Sequence, residues 1–185
     1  LPHLPDDCMV YHGSLALRHQ DPKQALDQIT RKNNCPVFLD INLRDPWWQA
    51  RDILSLLNHA TWMKLNEDEL AIIMPDAVSL EQQIEQLASR FPANLFVITR
   101  GARGAVAIDR AGRRESIQPA RALDIVDTVG AGDAFSSIIL LGILNQWPLA
   151  VMLERAQSFA SAVTGLRGAT STDPDFYQPF VSAWR

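Results

Sequence analysis

PVFLDI, at residues 36–41, is an apolar run rich in side chains that favour β-strands. A run of this kind, without the alternation of a half-exposed strand, is typical of a strand buried on both faces of a parallel sheet. LFVIT, at Leu95–Thr99, repeats the pattern further along the chain. The two segments therefore predict a sheet that is covered by helices on both faces.

Segments with helical periodicity alternate with these strands. We expect helices at 22–33 (with Asp21 as N-cap), 51–58, 67–74, 79–91, 133–144, 149–164 and from 175 onward. We expect further strands at 9–14 and 61–65, and a hairpin formed by 105–109 and 115–118. This alternation favours an α/β fold with a mostly parallel sheet, and 185 residues suit a single domain over 1–185. In such folds ligands bind beyond the carboxyl ends of the strands.

The composition is that of an ordinary globular protein, with 47% hydrophobic and 21% charged residues. A net charge of −4, with no run of Lys or Arg, gives no reason to expect nucleic acid or an anionic membrane as partner. Cys8 and Cys35 lack metal-ligand spacing, and we expect two separate thiols in a reducing cytoplasm. No apolar stretch is long enough to span a bilayer, and the expected location is cytoplasmic.

Residues 127–135 (DTVGAGDAF) are the most informative segment for function. Small residues stand where a loop passes into a helix, and there they let backbone N–H groups converge on an anion. Asp133 would repel a bound phosphate, which makes sense if it takes the proton from a hydroxyl that attacks the γ-phosphate. Alternatively, Asp133 is a helix-start carboxylate favoured by the macrodipole, and the glycines form a tight turn. These residues alone leave both interpretations open.

The complete string DTVGAGDAF resembles the second signature of the ribokinase-like (PfkB) carbohydrate kinases. The resemblance implies a three-layer αβα fold and ATP-dependent phosphoryl transfer to a sugar hydroxyl, with Mg²⁺ and, in several relatives, K⁺ as cofactors. It implies that Asp133 is the catalytic base and that Asp127 helps to hold a monovalent cation. The anion hole would consist of the backbone amides of Gly130, Ala131 and Gly132.

NEDE, at residues 66–69, resembles the N-x-x-E pattern of the same family. By the resemblance, Asn66 lies near the nucleotide phosphates and Glu69 organises Mg²⁺ through its waters. Taken alone, the segment is typical of a capped, solvated helix start in which Asn66 and Glu69 close a capping box. Lys64, just before it at a strand end, is expected to reach a phosphate.

DINLR, at residues 40–44, resembles the D-x-N-x-R stretch of the fructokinase and 2-keto-3-deoxygluconate kinase branch. This implies that Asn42 and Arg44 lie between the sugar and the phosphates. A guanidinium in that place can stabilise the charge that spreads over the phosphoryl oxygens. The alternative is a surface Arg44 paired with Asp45, and we favour the functional interpretation.

Two further segments are expected to border the ATP site. TRGARG, at residues 99–104, resembles the family's T-x-G-x-x-G nucleotide loop, which assigns Thr99, Gly101 and Gly104 to it. Gln157 falls where relatives often carry Asn, so its amide is expected to face the base or the ribose. Close helix packing explains the small residues around Gln157 equally well.

The resemblance covers nearly the whole chain but only the later part of the family pattern. We expect the N-terminal portion that binds the sugar and forms the lid to be absent from this chain. His12-Gly13-Ser14 resembles a turn of bacterial fructokinases, so fructose is the first candidate, a keto-deoxy sugar acid the second and a nucleoside the third.

Two functions from different classes compete. One is a sugar kinase whose partner is a small-molecule sugar, with a homodimer conceivable for the full-length protein. The other is a truncated or non-catalytic kinase-like module that binds nucleotide or a partner without turnover. The intact Asp133 favours the kinase.

Overall fold

The structure, a computed structural model, describes residues 5, 8–33, 35–119 and 125–184. Its Cα atoms group into two compact units. The first unit comprises Leu1–Gly101 and Val106–Arg114, and the second comprises Ala102–Ala105 and Glu115–Arg185. The expectation of a single domain stays a prediction.

Parallel strands form the centre of the first unit. They are β1 (Val10–Gly13), β2 (Val37–Asp40), β3 (Trp62–Asn66) and β4 (Leu95–Thr99), each parallel to the next. With β5 (Ala105–Asp109) and β6 (Arg114–Ile117), the described residues form a six-stranded sheet in the order β1-β2-β3-β4-β5-β6. Arg110 N–H, just after β5, donates to the Asn94 carbonyl, just before β4, at 3.0 Å, so β5 runs antiparallel to β4. The expected mostly parallel sheet is confirmed.

The described residues of the first unit form four α-helices: α1 (Gln20–Asn33), α2 (Ala50–His59), α3 (Glu67–Ile73) and α4 (Leu80–Arg90). Apolar side chains of α2, α3 and α4 join those of the strands in one buried core, among them Ile53, Leu57, Leu70, Ile84, Leu87, Leu39, Met63, Leu65, Phe96 and Ile98. Burying each such side chain stabilises the fold by about 1.5–3 kcal/mol. This core keeps the carboxyl ends of β2, β3 and β4 in a fixed register.

Two expectations for the first unit are wrong. Helix α1 begins at Gln20, so Asp21 lies within its first turn instead of capping it, where a carboxylate is also favoured by the helix dipole. Cys8 and Cys35 form a disulfide with an S–S distance of 2.12 Å, not two separate thiols. The pairing of β1 with β2 brings these two residues together, and their spacing in the sequence gives no sign of it.

The second unit contains α5 (Ala131–Leu144), α6 (Leu149–Val163) and α7 (Pro174–Ala183). Helices α5 and α6 approach closely at Gly142, where an added Cβ would lie 2.6 Å from Met152 Cγ. Phe159 on α6 packs edge to face against Phe180 on α7, with ring centroids 5.1 Å apart. None of the helices within the described part of the chain combines the length and the hydropathy that crossing a membrane requires.

Candidate active site

The carboxyl ends of β1 to β4 align at one edge of the sheet in the first unit. Gly13 of β1 pairs with Asp40 of β2, and Asp40 pairs in turn with Lys64 of β3. At the end of β3, Asn66 pairs with Thr99 of β4. Parallel pairing therefore collects at this edge residues that are far apart in the sequence.

Lys64 and Asp40 form a buried ion pair at this edge. Lys64 Nζ lies 2.9 Å from Asp40 Oδ1 and 3.1 Å from Oδ2. Tyr11 of β1 adds its hydroxyl, 3.4 Å from Asp40 Oδ2. This pairing was not predicted from the sequence, and a phosphate contact of Lys64 stays a prediction.

Hydrogen bonds to its backbone hold the segment that follows β2 in place. Ile41 N–H donates to the Lys64 carbonyl at 2.8 Å, and Leu43 N–H donates to Glu69 Oε1 at 3.0 Å. Ser14 Oγ accepts from Asn42 N–H at 3.3 Å and donates to the Asn42 carbonyl at 3.0 Å. These bonds fix the main chain from which the side chains of Asn42 and Arg44 project.

Among the described residues, the side chains of Asn42 and Arg44 have no hydrogen bond or ion pair, and Arg44 is exposed. Asp45 Oδ1 accepts from Trp48 Nε1 at 2.9 Å instead of pairing with Arg44. The alternative of a surface Arg44–Asp45 pair is therefore not realised. Both predicted substrate-binding side chains are available for a ligand.

Asn66 and Glu69 form the capping box of α3. Asn66 Oδ1 accepts from Glu69 N–H at 2.9 Å, and Glu69 Oε2 accepts from Asn66 N–H at 2.8 Å. The Glu69 side chain is buried, and this burial is the main influence that raises the pKa of its carboxyl group above the ordinary value. Hydrogen bonds from the Asn66 and Leu43 amides act in the opposite direction.

The carboxylate of Glu69 suits Mg²⁺ only through water. Glu69 is 6% exposed, and each of its oxygens already accepts one backbone N–H. Within the residues that the structure describes, no group of three or more His, Cys, Asp or Glu side chains could hold a metal. A role of Glu69 in ordering the waters of a Mg²⁺ ion stays a prediction.

The glycines after β4 take conformations that favour glycine. Gly101 has φ +54°, and Gly104 has φ +81°. An added Cβ at Gly104 would lie 1.9 Å from the Ile117 carbonyl oxygen, so no larger residue fits there. At the start of this loop, Arg100 Nε lies 3.8 Å from Glu67 Oε2. The roles of Thr99, Gly101 and Gly104 at a nucleotide stay predictions.

In the second unit, the loop before α5 turns sharply into the helix at Gly130. Gly130 has φ +81°, and an added Cβ would lie 2.4 Å from Ala169 Cβ. The first-turn amides of a helix lack intrahelical acceptors and can bind an anion. Ala131 N–H already donates to the Thr128 carbonyl at 3.3 Å. The amides of Gly132 and Asp133 have no acceptor among the described residues, and the side chain of Asp133 is exposed.

The carboxylate of Asp127 stabilises this loop by accepting two hydrogen bonds. Its Oδ1 accepts from Val129 N–H at 3.0 Å, and its Oδ2 accepts from Gly168 N–H at 3.2 Å. The carboxylate thus joins the loop before α5 to the segment after α6. A contribution of Asp127 to a monovalent-cation site stays a prediction.

Gln157 lies on α6, with its amide directed along the helix. Its Nε2 donates to Ser161 Oγ at 3.0 Å, one turn further on. The expected contact of Gln157 with the base or ribose stays a prediction. Tyr11 and Ser14 were not predicted to be neighbours of the candidate residues. Tyr11 lies within β1, and Ser14 directly follows it. Two signals pointed to Ser14: its place after a strand, where ligands bind in parallel sheets, and the resemblance of His12-Gly13-Ser14 to a fructokinase turn.

The chain is similar in sequence to known carbohydrate kinases. The pfkB family carbohydrate kinase model matches residues 9–175. A fructokinase from Klebsiella pneumoniae is 36% identical over 163 residues, which cover 81% of this chain and 51% of that protein. A ribokinase from Bacillus subtilis is 26% identical, over 84% of this chain and 51% of its own length. The chain thus spans about half the length of these curated relatives.

Solved structures share the fold. An adenosine kinase from Sinorhizobium meliloti superposes with a TM-score of 0.82 at 19% identity, over 97% of this chain and 57% of that one. An aminoimidazole riboside kinase from Salmonella enterica, complexed with aminoimidazole riboside and an ATP analogue, has a TM-score of 0.74 at 27% identity over 96% of this chain and 65% of its own. The expected three-layer α/β fold is confirmed. The match over residues 9–175 and the relative at 36% identity show that the chain belongs to the pfkB family of carbohydrate kinases.

Proposed function

We propose that this chain carries the nucleotide-binding and catalytic part of an ATP-dependent sugar kinase. The observation that carries the proposal is the exposed carboxylate of Asp133 in the first turn of α5, directly after the turn at Gly130, which has φ +81°. A helix start with free amides suits a phosphoryl group, and a carboxylate beside it suits a hydroxyl that must lose a proton.

In the proposed reaction, a sugar hydroxyl oxygen bonds to the γ-phosphorus of ATP while the bond from that phosphorus to the bridging oxygen breaks, which releases ADP. Asp133 accepts the hydroxyl proton. The amides of Gly130, Ala131 and Gly132 form the anion hole. Among the described residues the Gly132 N–H has no acceptor, and neither has the N–H of Asp133 beside it. Arg44 stabilises negative charge on the phosphoryl oxygens.

The proposed cofactors are ATP, Mg²⁺ and K⁺. Mg²⁺ neutralises charge on the phosphate oxygens when it is bound with ATP. Asn66 and Glu69 would organise its waters, and Asp127 would serve the K⁺ site. A fructokinase from Vibrio cholerae O395, 22% identical to this chain, was solved with fructose, ADP and potassium ion. That likeness supports the choice of cofactors by analogy only.

Fructose is the first proposed substrate, because the fructokinase from Klebsiella pneumoniae is 36% identical to the chain. A keto-deoxy sugar acid comes second, and a 5-dehydro-2-deoxygluconokinase from Geobacillus thermodenitrificans is 24% identical. A nucleoside comes third. We further propose a cytoplasmic location, to be tested by cell fractionation.

A coupled assay of ADP release by the full-length protein, against fructose, ribose and keto-deoxygluconate, tests the kinase. We expect fructose to give the highest kcat/KM, and no turnover of any sugar would contradict the proposal. The alternative is a module that binds nucleotide or a partner without turnover. Calorimetric titration of residues 1–185 with an ATP analogue, beside the same assay, separates the two. We expect weak binding and almost no turnover from residues 1–185 alone.

A further inference from the structure

The main chain at Asn42 and Leu43 is held between two buried side chains that come from different elements. Ser14, the first residue after β1, is 7% exposed and bonds both the N–H and the carbonyl of Asn42. Glu69 on α3 is 6% exposed and accepts the N–H of Leu43. We call this pair of side chains, Ser14 and Glu69, the clamp.

We propose that the clamp consists of positioning residues, which aim the side chains of Asn42 and Arg44 at the reactants through the backbone between them. The inference rests on the proposed kinase function, because it assumes that Asn42 and Arg44 contact substrate. It gives Ser14 a role that the sequence analysis did not assign. It gives Glu69 a role in addition to the ordering of metal-bound water.

The geometry favours a positioning role over a general contribution to stability. Ser14 Oγ uses its donor and its acceptor on the same residue, so it restrains the two peptide groups on either side of the Asn42 Cα atom. The side chains of Asn42 and Arg44 make no bond of their own among the described residues. Their direction is therefore set by the main chain that the clamp holds.

A clamp of this kind has a kinetic consequence. Phosphoryl transfer depends on position and charge stabilisation, and a shift of about 1 Å in a positioning group can reduce the rate about 10²-fold. Loss of the Ser14 hydroxyl leaves the Asn42 N–H and carbonyl without their partner. The loop then samples positions in which Arg44 no longer faces the phosphoryl group.

The test compares Ser14→Ala with Ser14→Thr, which keeps the hydroxyl, in the full-length protein. Ser89→Ala is the matched control, because Ser89 is exposed and its Oγ donates only to the Gln86 carbonyl within α4. We expect Ser14→Ala to lower kcat/KM for the sugar about 10- to 100-fold, chiefly through kcat. The KM for ATP should stay within about twofold, and Ser14→Thr should recover much of the loss. If Ser14→Ala does not fold, Ser14→Cys, which is similar in size and a weaker hydrogen-bond partner, takes its place.

Amide hydrogen exchange on the same proteins, without substrate, reports the clamp directly. We expect the Asn42 amide to exchange about 3- to 10-fold faster in Ser14→Ala, because its N–H loses one hydrogen bond. Glu69→Gln should instead speed exchange at Leu43. Unchanged exchange at Asn42, or faster exchange with unchanged kcat and KM, would overturn the positioning role. A wild-type protein that phosphorylates no sugar would overturn the proposed function, and the exchange rates would still show whether the clamp exists.

Discussion

Lys64 Nζ lies between both carboxylate oxygens of Asp40, at 2.9 and 3.1 Å, although the two residues belong to different strands. Their side chains are 9% and 7% exposed. The pair sits just below the edge of the sheet from which Asn42 and Arg44 project. A buried ion pair contributes little net stability compared with apolar residues of the same size, but either partner left alone is costly.

We therefore expect Lys64→Met to destabilise the fold by about 3–5 kcal/mol, because it leaves the Asp40 carboxylate buried without its cation. The measurement is denaturant unfolding followed by circular dichroism. The double variant Asp40→Asn with Lys64→Met should recover part of the loss, since neither of the two positions then carries a charge. A single variant as stable as the wild type would show that water reaches Asp40.

Gly130→Ala tests whether the turn before α5 requires glycine. The substitution combines a positive φ with a Cβ placed 2.4 Å from Ala169 Cβ. Gly112→Ala is the matched control, because Gly112 also has φ +81° but has no atom within 4 Å of an added Cβ. We expect about 1 kcal/mol of destabilisation from the control and clearly more from Gly130→Ala. Equal losses in thermal or denaturant unfolding would mean that the Ala169 contact relaxes at little cost.

His12 on β1 should make stability depend on pH. Burial lowers the pKa of His12 below its ordinary value of 6.5, because the charged imidazolium loses its hydration. The unfolded chain then takes up a proton near pH 6.5 that the folded chain binds only at lower pH. Stability should therefore fall as pH decreases from about 7.5 to about 5.5.

His12→Gln should reduce this pH dependence, whereas His19→Gln, at an exposed position, should not. Urea midpoints at several pH values in this window provide the measurement. The same slope in wild type and His12→Gln would contradict the assignment.

Local patterns allowed much of the fold to be predicted. Strand β4 has the expected bounds, Leu95–Thr99. They could be predicted because the run of strand-favouring residues in the sequence has the same length as the strand itself. The capping box of Asn66 and Glu69 was also predicted, since it depends on residues three apart. Features within one turn or one strand can thus be predicted from the sequence.

Contacts that depend on strand register were not predicted. The disulfide of Cys8 with Cys35 and the bond of Ser14 to Asn42 both join residues more than one element apart. Each exists because β1 pairs with β2, and the sequence carries no local sign of that pairing. Helix α5 begins at Ala131 instead of 133, directly after Gly130, which has φ +81°.

Arg44→Lys should separate a catalytic guanidinium from a structural one. Lysine keeps the charge but loses the planar fork that can bind two phosphoryl oxygens. Because Arg44 is exposed and has no partner among the described residues, the substitution should leave the melting temperature unchanged. We expect kcat for the sugar to fall more than KM rises. A change in thermal stability alone would identify Arg44 as a structural residue.

Asp133→Asn is the decisive change for the proposed reaction. Asparagine keeps the shape of the side chain at the start of α5 but has no basicity, so the sugar hydroxyl would have to lose its proton without help. General base catalysis is worth about 10² to 10⁴ in rate, and we expect kcat of the full-length protein to fall by that factor. Nucleotide affinity should change little, because removing a negative charge beside the phosphates does not remove a contact to them.

Asp175→Asn provides the control for Asp133→Asn. Asp175 is also an exposed carboxylate in the first turn of a helix, α7, so its loss has a similar effect on the helix dipole without any proposed chemistry. We expect wild-type kcat from Asp175→Asn and a steep loss from Asp133→Asn, measured by coupled assay and by calorimetric titration with an ATP analogue. Near-wild-type turnover in Asp133→Asn would mean that another group takes the proton, and the carboxylate would then serve only to begin α5.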